Sequence, residues 1–310
     1  MSMKSIYSQV EANKLKTFLL MFVFSAVVFA VAYFAYQYTA SVWVIYISFF
    51  FALFMNIASF WFSDKLALSS VGAEEADPEQ YRELHRIVEN LAITAGITKP
   101  KVYIIHDNSL NAFATGRDPK HAAVAVTEGL LSVLDRSELE AVMAHELSHV
   151  KNRDILVSTV AVVLVGFLSL LVDYVLRFAF FFGSNNEERP NNPIFAILGF
   201  ALMFFAPVIG QLIQLAVSRK REFLADSSGA LLTRYPEALA SALVKISKNP
   251  LVSGANTATA HLFIEEPFKA NFGAASKIAK WFSTHPPTEE RIMALLGEDK
   301  ARVYIDKLRE

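Results

Sequence analysis

Four apolar stretches constrain the fold of this chain more than any other feature, because each is long enough to cross a lipid bilayer as a helix. A membrane-spanning helix needs about 20 consecutive residues that are mostly apolar. The stretches lie at residues 17–36, 41–62, 155–182 and 193–217. They predict a multi-pass α-helical membrane protein with four transmembrane helices.

The composition of the 310-residue chain agrees with a membrane location, since 54% of its residues are hydrophobic and its mean hydropathy is +0.35. Its 29 Lys and Arg residues nearly balance its 30 Asp and Glu residues. A surface that binds nucleic acid needs a basic excess, so nucleic acid is not expected as a partner. The chain contains no Cys, which excludes thiolate metal ligands and a cysteine nucleophile. Any zinc must then be held by His and carboxylate groups.

Basic residues near the ends of the spans predict the orientation in the membrane, because cytoplasmic loops are enriched in Lys and Arg. If the spans alternate in direction, nine such residues lie on one side: Lys4, Lys14, Lys16, Lys65, Lys151, Arg153, Arg219, Lys220 and Arg221. The turn at 37–40 has none, and the loop at 184–192 has only Arg189. We therefore expect both termini and the polar chemistry at the cytoplasmic face of the cell (inner or plasma) membrane.

The run His-Glu-Leu-Ser-His at residues 145–149 predicts a metal site. On a helix, His145 and His149 lie one turn apart on one face and can share a zinc ion. Glu146 projects beside the same face, where it can take a proton from water. Such a pentamer also arises by composition alone, so a pair of ordinary histidines is the alternative interpretation.

A catalytic zinc needs a third protein ligand, and Glu222 is the natural candidate. It follows the fourth predicted span much as Glu146 precedes the third, so antiparallel spans would bring both residues to the same membrane depth. Asp226 lies one helical turn after Glu222 and could accept a hydrogen bond from the unligated nitrogen of a zinc histidine. Without the zinc motif, the two carboxylates would be interpreted as part of a solvated charge cluster with residues 219–221.

The polar segments on either side of the third and fourth spans predict one catalytic domain assembled from two pieces. The expected order is a two-span anchor, a first catalytic piece, a two-span hairpin and a second catalytic piece, at residues 1–62, 63–154, 155–217 and 218–310. Apolar runs in the first piece predict three short strands, at 101–105, 111–116 and 122–127. The predicted fold class is α+β, with a mainly helical zincin-type domain that carries a small β-sheet.

Capping signals predict where two helices of the first piece begin. Asp77 and Pro78 indicate the start of a helix that ends at Gly96. Ser137, with Glu140 three residues later, is typical of a capping box and predicts the start of the zinc-motif helix.

These features together resemble the HtpX-type membrane zinc metalloproteases, a branch of the Ste24-related peptidases, over essentially the whole chain. The matching segments are Ala144–Val150, Asp154, Arg221–Asp226, Asn111–Gly116 and Thr284–Pro287. The resemblance implies one zinc ion per chain, with His145, His149 and Glu222 as its ligands. It also implies that Glu146 is the catalytic base and that Asp226 supports a zinc ligand.

The resemblance implies two further roles. Four residues are expected to form an edge strand on which the substrate backbone aligns: Asn111, Ala112, Phe113 and Ala114. An ordinary sheet strand is the alternative. His285, held before two prolines, is expected to donate to the developing oxyanion, and an ordinary loop histidine is the alternative.

The implied activity is hydrolysis of peptide bonds in misfolded or damaged membrane proteins at the cytoplasmic face, as part of membrane protein quality control under stress. Unfolded segments of such proteins are the expected partners, and self-cleavage is expected as well. A prenyl-protein-processing peptidase of the Ste24 type is one alternative, which four spans disfavour because that group has more. A non-catalytic four-span membrane scaffold is the other.

Overall fold

The computed structural model describes residues 3–168, 219–248 and 286–309. Within these ranges the chain is mostly helical and carries one small sheet. The elements follow in the order α1 (Met3–Thr39), α2 (Trp43–Trp61), α3 (Ser63–Ser70), β1 (Glu74–Glu75), α4 (Arg82–Ala95), β2 (Lys101–Ile105), β3 (Ala112–Gly116), β4 (Ala122–Thr127), α5 (Glu128–Val133), α6 (Arg136–Lys151), α7 (described from Ile155 to Leu168), α8 (Arg219–Thr233), α9 (Pro236–Lys248), α10 (Thr288–Leu296) and α11 (Glu298–Arg309).

Two helices have the length and apolarity that a membrane span requires. The apolar segments are Glu11–Tyr33 in α1, with 23 residues, and Trp43–Trp61 in α2, with 19 residues. They correspond to the first two predicted spans. The third predicted span begins as the apolar helix α7, but its remainder and the whole fourth span lie outside the described residues. The four-span arrangement therefore stays a prediction.

One face of α1 packs against α7. Leu20, Phe24 and Val27 recur every three or four residues along α1 and are buried. They lie in one apolar cluster with Val160 and Leu164 of α7. The helix that follows the zinc-motif helix is thus held directly against the first membrane helix.

The helix α2 contacts α1 on one side and exposes apolar side chains on the other. The side-chain amide of Asn56 donates to the hydroxyl of Ser25 on α1, over 2.8 Å. Phe50 and Phe54 are 64% and 66% exposed, which is the pattern of a helix that faces lipid.

The four strands form one mixed sheet in the order β1-β2-β4-β3. β2 and β4 are parallel, whereas β3 runs antiparallel to β4, with Ala114 opposite Val124. The three longer strands confirm the prediction, although β3 begins at Ala112, one residue later than expected. The two-residue strand β1 pairs with β2 and was not predicted. β3 lies at one edge of the described sheet.

The helix α4 begins later than the sequence pattern predicts. Asp77 accepts hydrogen bonds from the backbone N–H groups of Glu79 and Gln80, so it caps a turn, and α4 starts only at Arg82. The predicted end is confirmed, because Gly96 caps the helix in the left-handed conformation with a φ of 71°.

The zinc-motif helix α6 has its capping box at Asp135 and Glu138, so the predicted box of Ser137 and Glu140 is wrong. Ser137 instead donates to the Asp135 carboxylate over 2.7 Å. The earlier register is stabilised from outside the helix, because the buried Glu138 also accepts a hydrogen bond from Lys245 of α9 over 2.6 Å. Asp135 and Glu138 have the same three-residue spacing as Ser137 and Glu140, so the sequence offers two capping registers and α6 uses the earlier one.

Residues before the third predicted span and after the fourth pack in one hydrophobic core. Val142 and Leu147 of α6 are buried together with Leu239 and Leu243 of α9 and Ile292 of α10. Burial of side chains of this size contributes about 1.5–3 kcal/mol each. This core fixes α6 between the sheet and the helices of the second piece, and so positions the zinc motif.

Candidate metal centre

The two histidines of the zinc motif present the same ring nitrogen to one point. His145 and His149 lie one turn apart on α6, and their Nε2 atoms are 3.3 Å apart. The rings are nearly perpendicular, at 87°. In a tetrahedral site, two nitrogens that each lie about 2.05 Å from zinc are about 3.3 Å apart. The spacing of the two histidines therefore fits zinc.

The structure brings Glu222 of α8 close to the two histidines, where the sequence predicts the third ligand. Its two carboxylate oxygens lie 3.7 Å from Nε2 of His145 and 3.6 Å from Nε2 of His149. One donor atom from each of the three residues lies within 4.8 Å of the other two. Two imidazoles and one carboxylate that leave a fourth position open are a known ligand set of catalytic zinc.

A glycine allows α8 to approach α6 closely enough for this geometry. Glu222, Asp226 and Gly229 lie on one face of α8, at intervals of four and three residues. A side-chain carbon at Gly229 would lie 2.9 Å from the backbone nitrogen of His145. The absence of a side chain at residue 229 therefore sets the distance between the two helices that carry the metal donors.

Asp226 connects His145 to a buried arginine. Its carboxylate lies 2.9 Å from Nδ1 of His145, although the angle departs from that of an ideal hydrogen bond. Arg291 of α10 donates to the same carboxylate twice, over 2.9 and 2.6 Å, and is only 1% exposed. Bidentate pairing of this kind holds a carboxylate in one orientation. Arg291 thus fixes the group that faces His145.

These charges shift the pKa values of the pair in opposite directions. Burial by itself lowers the pKa of His145, but the carboxylates of Asp226 and Glu222 outweigh it and raise that pKa to about 10. Burial by itself raises the pKa of Asp226, but Arg291 and His145 outweigh it and lower that pKa to about 2. In the metal-free protein His145 is protonated at neutral pH, so zinc must displace a proton.

His149 has a carboxylate partner of its own. Its Nδ1 lies 3.3 Å from Oδ2 of Asp154, which follows α6. Burial by itself lowers the pKa of His149, but Asp154 and Glu222 outweigh it and raise that pKa. Carboxylates on the far nitrogens leave both Nε2 atoms directed at the metal position.

Glu146 lies between the donor set and the sheet. It is 6% exposed, and burial raises the pKa of its carboxyl. Its Oε2 accepts a hydrogen bond from the backbone N–H of Ala114 over 2.9 Å. The predicted base therefore contacts the predicted edge strand.

Three of the four predicted substrate-binding residues, Ala112, Phe113 and Ala114, form the first part of β3, and Asn111 directly precedes it. All four are buried, and α6 packs against the strand. The backbone N–H of Asn111 donates to the hydroxyl of Thr127, over 3.0 Å. Substrate binding at this edge stays a prediction, and His285 lies outside the described residues.

Sequence reasoning missed Arg291 and Gly229. A signal for Arg291 exists, since Thr288, Arg291 and Ile292 share one face of α10 and are all buried there. A cation on the apolar face of an amphipathic helix indicates a buried anionic partner. Gly229 allows close packing only because α8 lies against α6. The spacing of residues along the chain does not predict that these two helices pack together.

This arrangement of a motif helix, a carboxylate from a second helix and a base beside a strand is that of a metallopeptidase. Comparison with known protein families supports this assignment, because the sequence model of peptidase family M48 matches residues 78–299. The match covers most of the chain. The chain belongs to peptidase family M48 and is a metalloprotease.

Within that family, the chain is similar to proteins named Protease HtpX homolog. The one from Pyrococcus furiosus is 51% identical over 253 residues, which are 80% of this chain and 84% of the relative. The one from Caldanaerobacter subterraneus is 43% identical over 304 residues, 95% of this chain and 98% of the relative. The crystal structure of S. mikatae Ste24p matches 94% of this chain and 67% of that chain, with a TM-score of 0.49 and 16% identity. The predicted resemblance to HtpX-type membrane metalloproteases is confirmed by the sequence relatives.

Proposed function

We propose that this protein is an integral-membrane zinc endopeptidase that hydrolyses misfolded or damaged membrane proteins at the cytoplasmic face, as part of membrane protein quality control. The observation that carries this proposal is the position of Glu146. Its carboxylate lies beside the donor set of His145, His149 and Glu222 and 2.9 Å from a backbone N–H of the edge strand. A base, a metal position and a strand edge meet at one point.

The zinc ion would be held by His145, His149 and Glu222. When bound, zinc supplies Lewis acidity, which lowers the pKa of water toward neutrality and polarises a carbonyl group. Glu146 accepts the proton of the attacking water and returns it to the leaving amine. The raised pKa of Glu146 suits both steps, because a group that takes and gives a proton works best when its pKa lies near the working pH.

The substrate backbone aligns along β3 in this proposal. A strand edge binds any extended peptide through main-chain groups and makes little demand on its side chains. Unfolded segments offer such groups freely, whereas folded proteins have theirs paired. A preference for misfolded substrates therefore follows from the mode of binding.

His285 is proposed to donate to the oxyanion. The chain that follows it is anchored at the site, since Arg291 binds Asp226 and Asp226 faces His145. His285 precedes α10 by three residues, which supports a position close to the metal.

The proposed cytoplasmic location rests on the distribution of basic residues and on the closeness of the site to a membrane helix. α6 ends at Lys151, and the apolar helix α7 begins at Ile155. His149 therefore lies six residues before a predicted span, so a segment that emerges from the membrane there would meet the metal donors first.

The substitution Glu146→Gln tests the catalytic proposal, because it keeps the shape of the side chain and removes the base. We expect the variant, purified in detergent, to keep its zinc and to lose cleavage of casein and self-cleavage by at least about 100-fold, the smallest contribution typical of general-base catalysis. A single-span membrane protein with a stable cytoplasmic domain should resist the parent enzyme, and its destabilised variant should be cut. Parent-like activity of Glu146→Gln would remove this residue from the chemistry, and equal cleavage of both membrane substrates would overturn the preference for misfolded proteins.

A further inference from the structure

The buried face of α1 ends in a polar residue. Thr17, Leu20, Phe24 and Val27 lie along this face, and one turn before Thr17 comes Asn13, which is 6% exposed. An amide that is buried at this depth is costly unless it is hydrogen-bonded. The partners of Asn13 therefore identify what this end of the membrane helix contacts.

Asn13 binds the turn that joins the zinc-motif helix to α7. Its Nδ2 donates to Oδ1 of Asp154 over 2.8 Å and lies 3.4 Å from the carbonyl oxygen of Arg153. Arg153 has a φ of 59°, a left-handed conformation that is unfavourable for a residue other than glycine. The backbone N–H of Asp154 also donates to the carbonyl of His149, over 2.9 Å. The side-chain amide of Asn13 on α1 thus stabilises the turn at Arg153 and Asp154, whose backbone conformation is unfavourable by itself.

The same carboxylate faces a metal donor. Oδ1 of Asp154 accepts from Asn13, and Oδ2 lies 3.3 Å from Nδ1 of His149. A carboxylate at the far nitrogen fixes the tautomer and the orientation of a ligating imidazole. Because Asn13 occupies one oxygen, it determines which way the other oxygen points.

Asn13 also contacts the helix that carries the third donor. Nη1 of Arg221 lies 3.5 Å from Oδ1 of Asn13, at the long limit of a hydrogen bond. Arg221 is buried and directly precedes Glu222. The amide of Asn13 therefore contacts two segments that adjoin metal donors. One is the turn that follows His149, and the other is the start of α8, which carries Glu222.

We propose that Asn13 is a positioning residue of the metal site, so that the first membrane helix is a structural part of that site as well as an anchor. The amide sets the orientation of His149 through Asp154 and steadies the start of α8 through Arg221. The inference rests on the metal site of the proposed function. Its consequence is that a change in α1 alters the metal affinity of a site formed by α6 and α8.

The test compares two asparagines of the membrane helices. Asn13→Leu removes the amide at the metal site, whereas Asn56→Leu removes an amide that links α1 and α2 through Ser25, away from that site. With the full-length protein in detergent, we expect Asn13→Leu to weaken zinc binding about tenfold in competition with a chelator, at the low end of the effect of losing a ligand's partner. It should also change the visible spectrum of the Co²⁺-loaded protein, and Asn56→Leu should change neither.

A double-mutant cycle separates positioning from general stability. If Asn13 acts through Asp154, then Asn13→Leu weakens zinc binding much less in the Asp154→Ala background than in the parent. Should the leucine variant fail to fold, Asn13→Ser carries the same expectation, because serine is polar but too short to reach Asp154. Additive effects, or equal effects of the substitutions at residues 13 and 56, would overturn the proposal. A parent protein that binds no zinc would instead overturn the proposed function.

Discussion

The substitution Gly229→Ala should weaken the metal site, although an alanine normally stabilises a helix. In an open helix, this change is favourable by roughly 0.5–1 kcal/mol. Here the new carbon would lie 2.9 Å from the backbone nitrogen of His145 and 3.1 Å from the carbonyl carbon of Ala144. Ordinary contacts between carbon atoms are about 3.5–4.0 Å long, so α8 must move by roughly 0.5–1 Å.

That displacement exceeds what a zinc site tolerates, since ligand distances hold to within about 0.2 Å. Glu222 lies two turns before Gly229 on the same helix face, so it moves with the helix. Overpacking of this kind costs about 1–3 kcal/mol. If that cost falls on the metal-bound state, zinc affinity drops by about 5- to 150-fold.

The measurement is zinc affinity by competition with a chelator, together with thermal unfolding in the same detergent. Ser227→Ala is the matched control, because Ser227 is exposed on the same helix and its hydroxyl bonds only to the local backbone carbonyl of Phe223 in the described contacts. The control should bind zinc as the parent does. Parent-like zinc affinity of Gly229→Ala, with a higher unfolding temperature, would refute the packing argument.

Three further predictions concern the metal and the membrane. Glu222→Ala should weaken zinc binding by more than the roughly 100-fold that loss of an outer partner can cost, and full zinc retention by elemental analysis would exclude Glu222 as a ligand. Because the pKa of His145 is raised to about 10 in the metal-free protein, its proton competes with zinc below that pH. Zinc affinity should therefore rise by at least about tenfold per pH unit from about pH 7 to 9, and a flat profile would contradict this reasoning. Since the chain has no Cys, single cysteines at Glu79 and Gln37 can be labelled with an impermeant maleimide. The first should react from the cytoplasmic side and the second from the opposite side, whereas labelling from one side would contradict the predicted topology.

The donors of the metal site could be predicted because their geometry is local or follows from simple topology. His145 and His149 need only one turn of helix between them, and Asp226 needs only one turn after Glu222. The meeting of Glu146 and Glu222 needed one further assumption, that two successive spans form a hairpin. The parts of the hairpin beyond Leu168 and before Arg219 lie outside the described residues, so the assumption stays a prediction even though the donors meet.

The contacts of Arg291 and Asn13 could not be predicted, because each joins distant parts of the chain. Arg291 reaches Asp226 from α10, and Asn13 reaches Asp154 from α1. The start of α6 was predicted two residues too late, because Asp135 with Glu138 and Ser137 with Glu140 have the same capping-box spacing. The strand β1 is two residues long, and its pairing with β2 leaves almost no pattern in the sequence.

The order of the donors along the polypeptide has a consequence for biosynthesis. The ribosome makes the histidines of α6 first and Glu222 of α8 later, and Arg291 of α10, which holds Asp226, comes last. A nascent chain therefore lacks a complete set of zinc ligands until its later segments have emerged and packed against α6. Hydrolysis by the proposed site can therefore begin only after Glu222 has been made and α8 has packed against α6.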